Sequence, residues 1–338
     1  MINQVREPNS QFPYEAKFFI IVWSVLTVVV SLCGNIPVLV ASLKYHAIKF
    51  DQVSVIIIEN IAALDILFSM SIVVPRIWSV SSEQEAVRYF YDETAFGKVM
   101  CIYEAHFQFW IATALTIMIC ALSVSKLTCC LYPLEAVTRT RKTGCYIIIF
   151  AWVPYLIRFI AILSVEDKIK VRYGFWNDAF TCLVAPTTFT SKVDISVAVL
   201  TTILPAVIIT VSTIWLIQFA RRMRRLQRQS IVVNILISIT FIVSFLPYAA
   251  FIIWKGIGFE PENKYETDML WVASMLAHYS LSFTNPFIYY FSSSSFKQFV
   301  DSGCAKFYIA VNRFFHMIFH LNHRYQNNAL LDNEAHSN

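Results

Sequence analysis

Residues 281–296 read LSFTNPFIYYFSSSSF, an apolar run interrupted by Asn285 and Pro286, and this stretch decides the fold. Proline inside a membrane helix removes a backbone hydrogen-bond donor, and lipid supplies no water to replace the lost bond. Polar groups on neighbouring helices must then bond the freed carbonyl. The stretch therefore predicts a kinked helix packed within a bundle, of the kind that moves.

The composition of the whole chain agrees with a lipid environment. The 338 residues are 57% hydrophobic and 14% charged, and the mean hydropathy is +0.57, which excludes an ordinary soluble protein. A run of about 20 apolar residues spans the hydrocarbon core. We predict an all-α membrane protein, a bundle of seven transmembrane helices with a short amphipathic eighth helix. The spans lie near 18–42, 53–78, 99–130, 145–164, 194–220, 230–254 and 268–291.

Basic residues predict the orientation of the bundle. A cluster of arginines, Arg221, Arg222, Arg224, Arg225 and Arg228, occupies the connection before the sixth span, and such residues favour the cytoplasmic side. We expect an extracellular amino-terminal tail over 1–17, the seven-helix domain over 18–291, and the eighth helix with a cytoplasmic tail over 292–338. We find no cleavable signal peptide, so the first helix is expected to direct its own insertion.

Each span carries an unusual residue, and their order is informative. The series comprises Gly34-Asn35, Leu64-Asp65, Cys101, Trp152, Pro205, Pro247 with Phe241 six residues before it, and Asn285-Pro286-x-x-Tyr289 followed by Phe296. In this order and spacing it resembles the rhodopsin-like (class A) G-protein-coupled receptors, as a divergent member of the orphan or chemoreceptor-like type. The resemblance covers the chain from about Gly34 to Phe296.

The resemblance implies a location and a set of working residues. It places the protein in the plasma membrane as a multi-pass receptor with an extracellular amino end. It also implies a Cys101–Cys182 disulfide in the outer segments, where disulfides persist, and Cys304 becomes a candidate for S-palmitoylation. The residues implied in activation are Asn35, Asp65, Lys126, Pro205, Phe241, Phe245, Pro247, Asn285, Pro286 and Tyr289.

Asp65 is a carboxylate near the middle of the membrane, where an ionised group needs a partner. In the family it belongs to a network of water and sodium; the alternative is a hydrogen-bonded polar residue that joins helices. Leu115 and Leu281 stand where the family has polar partners of that network, although Ser282 and Asn285 remain. We therefore expect weak sodium binding at Asp65, no other metal site and no cofactor.

The inner end of the third span departs from the family. Where the family has an acidic residue, arginine and an aromatic residue, this chain has Ser125-Lys126-Leu127. Lysine offers a flexible point charge instead of the planar fork of arginine. Gln227 cannot complete an ionic lock on the sixth helix, and Thr213 replaces a tyrosine of the fifth. We expect that few interactions hold the resting state, or that coupling to a G protein is weak.

The resemblance also maps a ligand site near the outer face. Gln108 stands where amine receptors keep an aspartate, and Tyr279 stands where opsins keep the retinal lysine, so neither class is favoured. Charges of both signs, such as Arg76 and Glu104, lie among aromatic residues and suit a peptide or a small polar organic ligand. The mapped residues are Glu104, Gln108, Phe109, Ala112, Phe245, Tyr248, Ile252, Met275 and Tyr279.

Two functional hypotheses follow. In the first, the receptor binds an extracellular ligand and signals to a heterotrimeric G protein. In the second, it binds ligand with little or no coupling, as a decoy, a scavenger or a partner of another receptor. A seven-helix transporter or channel would have more intramembrane charges and an internal repeat. Membrane lipids are expected partners, because aromatic and basic residues alternate over 294–320. We expect no nucleic-acid partner and no enzymatic activity.

Overall fold

A computed structural model of the chain describes most of the helical regions. The described residues are 14–43, 52–82, 84–132, 141–163, 173–176, 181–184, 196, 200, 203–222, 225–256, 264–292 and 296–303. The long helices are α1 (Tyr14–Leu43), α2 (Gln52–Phe68), α5 (Ala95–Leu131), α6 (Arg141–Leu163), α7 (Leu204–Ala220), α8 (Arg225–Gly256) and α9 (Lys264–Ser292). Two shorter helices, α3 (Val74–Ser81) and α4 (Gln84–Glu93), lie between α2 and α5.

The long helices close into a ring. Helix α1 packs against α2 on one side and against α9 on the other, and α9 packs in turn against α8. Helix α5 holds the centre, since it contacts α2, α6, α7 and α8. The contact between α1 and α9 joins the first helix to the last, so the bundle is closed rather than open.

Helix α1 shows that the surroundings of the bundle are apolar. Its outer surface carries large exposed apolar side chains, among them Phe18, Val22 and Val29. Its inner face buries Ser31 and Asn35. A water-soluble helix has the opposite arrangement, whereas lipid favours apolar groups outside and allows polar groups to join helices inside.

Length and composition identify four described helices that can cross a bilayer by themselves, and two shorter apolar helices accompany them. The four are Lys17–Leu43, Gln52–Ser81, Trp110–Leu131 and Ser230–Phe251; the shorter ones are Lys142–Val153 and Leu204–Ala220. The predicted multi-pass helical protein is therefore confirmed.

Prolines interrupt the helices where the sequence predicts kinks. Pro247 lies inside α8 and Pro286 inside α9, and each removes a backbone donor within a continuous helix. Pro205 is the second residue of α7 and follows the π-helical Ile203. In the second span a π-helical turn, Ser69–Val73, separates α2 from α3 just before Pro75. Such turns are common at functional sites.

The end of the bundle where α5 begins has structure that was not predicted. Strands β1 (Tyr173–Trp176) and β2 (Thr181–Val184) pair antiparallel, and both contact α5. Helix α5 starts with Thr94 as its cap, whose hydroxyl accepts a hydrogen bond from the Gly97 amide at 2.9 Å. A side chain at Gly97 would overlap the Phe90 carbonyl, so this turn requires glycine.

A helical segment at 296–303 follows α9 and matches the start of the predicted eighth helix. Phe296 is buried against Tyr289, while Lys297 is exposed and lies over the Tyr290 ring. The Tyr290 hydroxyl donates to Asp301 at 2.8 Å, which ties the segment to α9. The remainder of the predicted amphipathic region, with Cys304, lies outside the described residues.

Candidate functional site

A chain of hydrogen bonds joins α1, α2 and α9 in the middle of the bundle. Asn285 Nδ2 donates to Asp65 Oδ2 at 3.0 Å, and the Ser282 side chain also hydrogen-bonds this carboxylate. Asn35 Nδ2 donates to the Ser282 carbonyl at 2.9 Å, and Ser31 donates to the Asp65 carbonyl at 3.2 Å. Every member is buried. The predicted residues Asn35, Asp65 and Asn285 are thus brought together.

Close packing brings α1 to the hinge of α9. A Cβ atom placed on Gly34 would lie 2.5 Å from the Pro286 Cβ and 2.6 Å from its Cγ, so only glycine allows this approach. Gly34 therefore has a packing role beside the hydrogen bond of its neighbour Asn35. The part of α9 around Pro286 packs directly against α1 at Gly34.

Some oxygens of this network have spare capacity. Asp65 Oδ1, Asn35 Oδ1 and Asn285 Oδ1 have no hydrogen-bond partner within the described part of the chain. Oxygen atoms of this type suit a hard cation or water. Leu115 and Leu281 are both buried and supply no further oxygen from their side chains. No group of three or more His, Cys, Asp or Glu residues capable of holding a metal occurs among the described residues.

A second polar cluster is buried near the end of the bundle where α5 begins. Arg76 is 2% exposed and Glu104 is 4% exposed. The Tyr91 hydroxyl, on α4, donates to Glu104 Oε1 at 2.5 Å, and Arg76 Nη1 lies 2.8 Å from the Met275 sulfur. Both charges are close enough to act on the Tyr279 hydroxyl, which has no hydrogen-bond partner among the described residues.

The protonation state of Tyr91 follows from this setting. Burial raises the pKa of the Tyr91 phenol well above its usual value, and the negative charge of Glu104 raises that pKa further. The phenol stays protonated over the physiological range and serves as the donor to Glu104. The cluster thus couples α4, which lies outside the membrane spans, to α5.

An aromatic layer lies below this cluster and surrounds His278. The imidazole stacks on Tyr248 with ring centroids 4.9 Å apart, and it meets the edges of Phe68 at 5.1 Å and Phe245 at 5.2 Å. It is 2% exposed, and neither ring nitrogen has a hydrogen-bond partner among the described residues. Phe245 stacks in turn on Phe241, with centroids 4.9 Å apart. The layer connects α2, α8 and α9.

Comparison with known proteins identifies the family. The model of the seven-transmembrane receptors of the rhodopsin family matches residues 34–289. The chain belongs to this receptor family. No curated protein matches the sequence significantly. The rhodopsin family implies a seven-helix membrane bundle and consists of receptors, not enzymes, so the predicted family, fold class and absence of enzymatic activity are confirmed.

Many of the residues mapped to a ligand site are buried within the receptor bundle. Glu104, Ala112, Phe245, Tyr248, Met275 and Tyr279 are all buried. Gln108, Phe109 and Ile252 lie on α5 and α8, but their side chains are outside the described part of the structure. Their roles stay predictions. His278 was not predicted as a site residue from the sequence. It lies on the same helical face as Met275, Tyr279 and Ser282, and this spacing could have indicated it.

One cavity of the described region lies at the side of the bundle. It is an open groove of about 260 Å³ between α7 and α8. Several of its walls, including Val207, Val211 and Leu246, are on the outer surface of the bundle. Phe241 and Phe245 form its inner wall. The groove thus places these two rings within reach of lipid.

In the second turn of α5, Cys101 is buried and disulfide-bonded. Helix α5 contacts strand β2, which carries Cys182. The position of this strand is compatible with the predicted pairing.

The first two residues of the unusual triplet, near the end of α5, are buried. Ser125 is buried and Lys126 is 7% exposed, while Leu127 packs near Leu216 of α7. A hydrogen bond of 2.9 Å between the Ser123 and Ser238 hydroxyls joins α5 to α8 nearby. Thr213 is also buried, and its hydroxyl has no hydrogen-bond partner among the described residues. The Gln227 side chain lies outside the described part.

Proposed function

We propose that this receptor lies in the plasma membrane with its amino end outside and binds an extracellular peptide or small polar organic ligand. The observation that carries the proposal is that two opposite charges, Arg76 and Glu104, are both buried near the aromatic layer around His278. A ligand with polar groups and an apolar body matches both parts. The unpartnered hydroxyl of Tyr279 and imidazole of His278 offer further hydrogen bonds.

The route from that site to the inner face runs along α8 and α9. Phe245 contacts His278, Tyr248 and Phe241, so a ligand that shifts the imidazole also shifts the ring two residues before Pro247. On α9, Asn285 holds Asp65 directly before Pro286. Movement at these two kinks is the proposed signal to a heterotrimeric G protein.

The outer disulfide and the lipid contacts belong to the same proposal. Cys182 is the proposed partner of Cys101, which would fold the segment carrying β2 across the ligand site. Arg221 and Arg222 are exposed at the end of α7, where anionic lipid attracts basic residues. Residues 1–17 are the proposed outer tail, 18–291 the receptor domain, and 292–338 the inner helix and tail, with Cys304 as the lipidation site.

A second candidate function is ligand capture without G-protein coupling. It is favoured by Lys126, which stands where the family has arginine and cannot offer a planar fork. In this case the receptor acts as a decoy, a scavenger or the partner of another receptor.

One experiment separates the two functions. The surface-expressed receptor is screened with peptides and polar metabolites, and binding and G-protein activation are recorded on the same cells. Binding with activation supports the first function, and binding without activation supports the second. The paired change Ser125→Asp with Lys126→Arg is then tested in the same assay. If coupling appears or rises while affinity is unchanged, the triplet limits coupling; an unchanged response shows that it does not.

Phe245→Ala tests the proposed route in the same cells. We expect agonist efficacy to fall more than agonist affinity, because the ring transmits movement to the Pro247 kink. An equal loss of both would show that Phe245 only packs the site.

A further inference from the structure

The open groove between α7 and α8 follows one face of α7. Residues on this wall recur every three or four positions, which places them on a single side of the helix. They are Ile203, Ala206, Val207, Thr210 and Val211. From residue 203 to residue 211 the groove extends about 12 Å along the helix, at about 1.5 Å per residue. Its volume of about 260 Å³ is therefore long and narrow rather than round.

The groove offers almost no polar group to an occupant. Thr210 is the one polar residue among the described residues that line it. Its hydroxyl donates to the Ala206 carbonyl at 2.8 Å, so it already has a partner within α7. A peptide or another polar molecule would lose hydrogen bonds on entering such walls. The lining suits a plain hydrocarbon chain.

The mouth of the groove opens on the lipid-facing surface of the bundle. Val207, Val211 and Leu246 are exposed at the mouth, and Val243 is exposed beside it on α8. In a membrane bundle, large apolar side chains on the outer surface meet lipid tails. The groove is thus continuous with the surface that the receptor shares with the bilayer, and lipid chains are what reach its mouth.

The depth of the groove places it in one half of the membrane. Helix α7 ends beside Arg221 and Arg222, which are exposed and belong at the membrane surface. Residues 211 and 203 lie about 15 and 27 Å before Arg221 along the helix. Since the hydrocarbon core is about 30 Å thick, the groove occupies the half remote from Arg221. A chain of that leaflet spans about 15 Å, which is enough to fill the groove along its length.

Two features distinguish the groove from an ordinary depression between helices. Ala206 is the smallest residue of the α7 wall, and the larger Ile203 and Thr210 lie about one turn to either side of it, so space is left at the centre. Phe241 and Phe245 form the inner wall, and their rings stack with centroids 4.9 Å apart. A chain in the groove has protein atoms on two sides, and therefore gains more van der Waals contact than a chain on the surface of a single helix.

We propose that an acyl chain of a bilayer phospholipid, from the leaflet remote from Arg221, occupies this groove as a bound ligand of the receptor. The polar head of the phospholipid stays at the membrane surface, and one chain lies between α7 and α8. Phe245 also contacts His278 and Tyr248, so the chain adjoins the aromatic layer from the lipid side. Occupancy of the groove does not depend on the proposed function; only an effect of the chain on signalling does.

Photo-cross-linking measures the occupancy without agonist or G protein. The full chain is placed in nanodiscs, one receptor per disc, with phosphatidylcholine that carries a diazirine in the middle of one acyl chain. Leu246 lines the groove and is 46% exposed, whereas Val243 does not line it and is 66% exposed. Lipid that only surrounds the receptor labels Val243 more than Leu246, because Val243 is more exposed. A bound chain reverses this order, and mass spectrometry of the labelled peptides reads the ratio.

Ala206→Leu fills the centre of the groove from the protein side. The ratio of label on Leu246 to label on Val243 should then fall to that of surrounding lipid, because losing roughly two buried methylene contacts weakens binding about tenfold. Ala250→Leu is the matched control, since it adds the same atoms at an exposed position of α8 outside the groove. It should leave the ratio unchanged. Ala206→Val should give a smaller fall, which covers the case in which Ala206→Leu does not fold.

Three results would overturn the proposal. The first is stronger labelling of Val243 than of Leu246 in the unchanged receptor. The second is an unchanged ratio when Ala206 is enlarged to valine or leucine. The third is loss of the label on Leu246 in discs that hold two receptors, which would show that a second copy of the chain covers the groove.

Discussion

The side-chain amide of Asn35 donates a hydrogen bond of 2.9 Å to the Ser282 carbonyl, the group that lies four residues before Pro286. In an unbroken helix this carbonyl accepts from the amide of residue 286, but proline has no amide hydrogen. Asn35 on α1 thus supplies the donor that α9 lacks. The turn of α9 that contains Pro286 is therefore stabilised by a side chain of α1.

This relationship predicts a specific coupling between Asn35 and Pro286. Asn35→Ala leaves a buried carbonyl without a donor, which costs about 1–3 kcal/mol. Pro286→Ala restores a backbone amide that can bond the carbonyl, so the same change should cost clearly less in that background. Thermal unfolding in nanodiscs of the unchanged receptor, the two single variants and the double variant measures the cost of Asn35→Ala in each background. Ser69→Ala is the control, since its bond to the Asp65 carbonyl involves neither Asn35 nor Pro286. Equal losses for Asn35→Ala in both backgrounds would refute the coupling.

Gly34→Ala should destabilise the bundle. The new methyl group would lie 2.5 Å from the Pro286 Cβ, a distance at which α1 or α9 must move. Overpacking of this kind costs about 1–3 kcal/mol, visible as a lower melting temperature and less receptor at the surface. Gly303→Ala is the matched control, because no atom lies within 4 Å of a Cβ at that exposed position. A variant at Gly34 as stable as the control would contradict the packing.

Sodium should bind weakly at Asp65, because buried Leu115 and Leu281 offer no side-chain oxygen beside the carboxylate. With a dissociation constant on the order of 1 M, physiological sodium contributes only about 0.1 kcal/mol. Replacing sodium by N-methylglucamine should therefore leave the melting temperature and agonist affinity nearly unchanged. A large sodium effect that disappears in Asp65→Asn would show that the site is complete without those oxygens.

His278→Phe should stabilise the ligand-free receptor and impair its response. A phenyl ring keeps the stacking on Tyr248 and the edge contacts with Phe68 and Phe245. It removes two buried nitrogens without partners among the described residues, and such groups cost about 1–3 kcal/mol. We expect a higher melting temperature with a weaker agonist response, the usual trade between stability and function. A lower melting temperature would mean that the imidazole is already hydrogen-bonded; His278→Asn serves as the polar comparison.

The disulfide of Cys101 provides a test of its partner. If the partner is Cys182, Cys101→Ser costs about 4 kcal/mol by the chain-entropy model, and adding Cys182→Ser costs little more. Peptide mapping without reduction should give one cross-linked fragment containing both cysteines. A second large loss in the double variant, or a different linked peptide, would assign another partner.

The apolar runs, the prolines and the landmark residues could all be predicted from the sequence, because each depends on local chemistry. Lipid requires long apolar helices, and a proline removes its amide wherever it stands. The same reasoning predicted that a group on another helix must donate a hydrogen bond to the carbonyl freed by Pro286. The unusual Ser125-Lys126-Leu127 triplet was also visible at this level.

The tertiary structure alone decided which polar atom meets which. Asn35 bonds the Ser282 carbonyl, His278 lies among aromatic rings, and Asn234 shares a cavity with Lys126 only because the helices have a certain rotation and depth in the bundle. Those are set by the packing of all helices together, including the close approach of Gly34 to Pro286. No local pattern encodes them, since residues far apart in the chain must first be brought within a few ångströms.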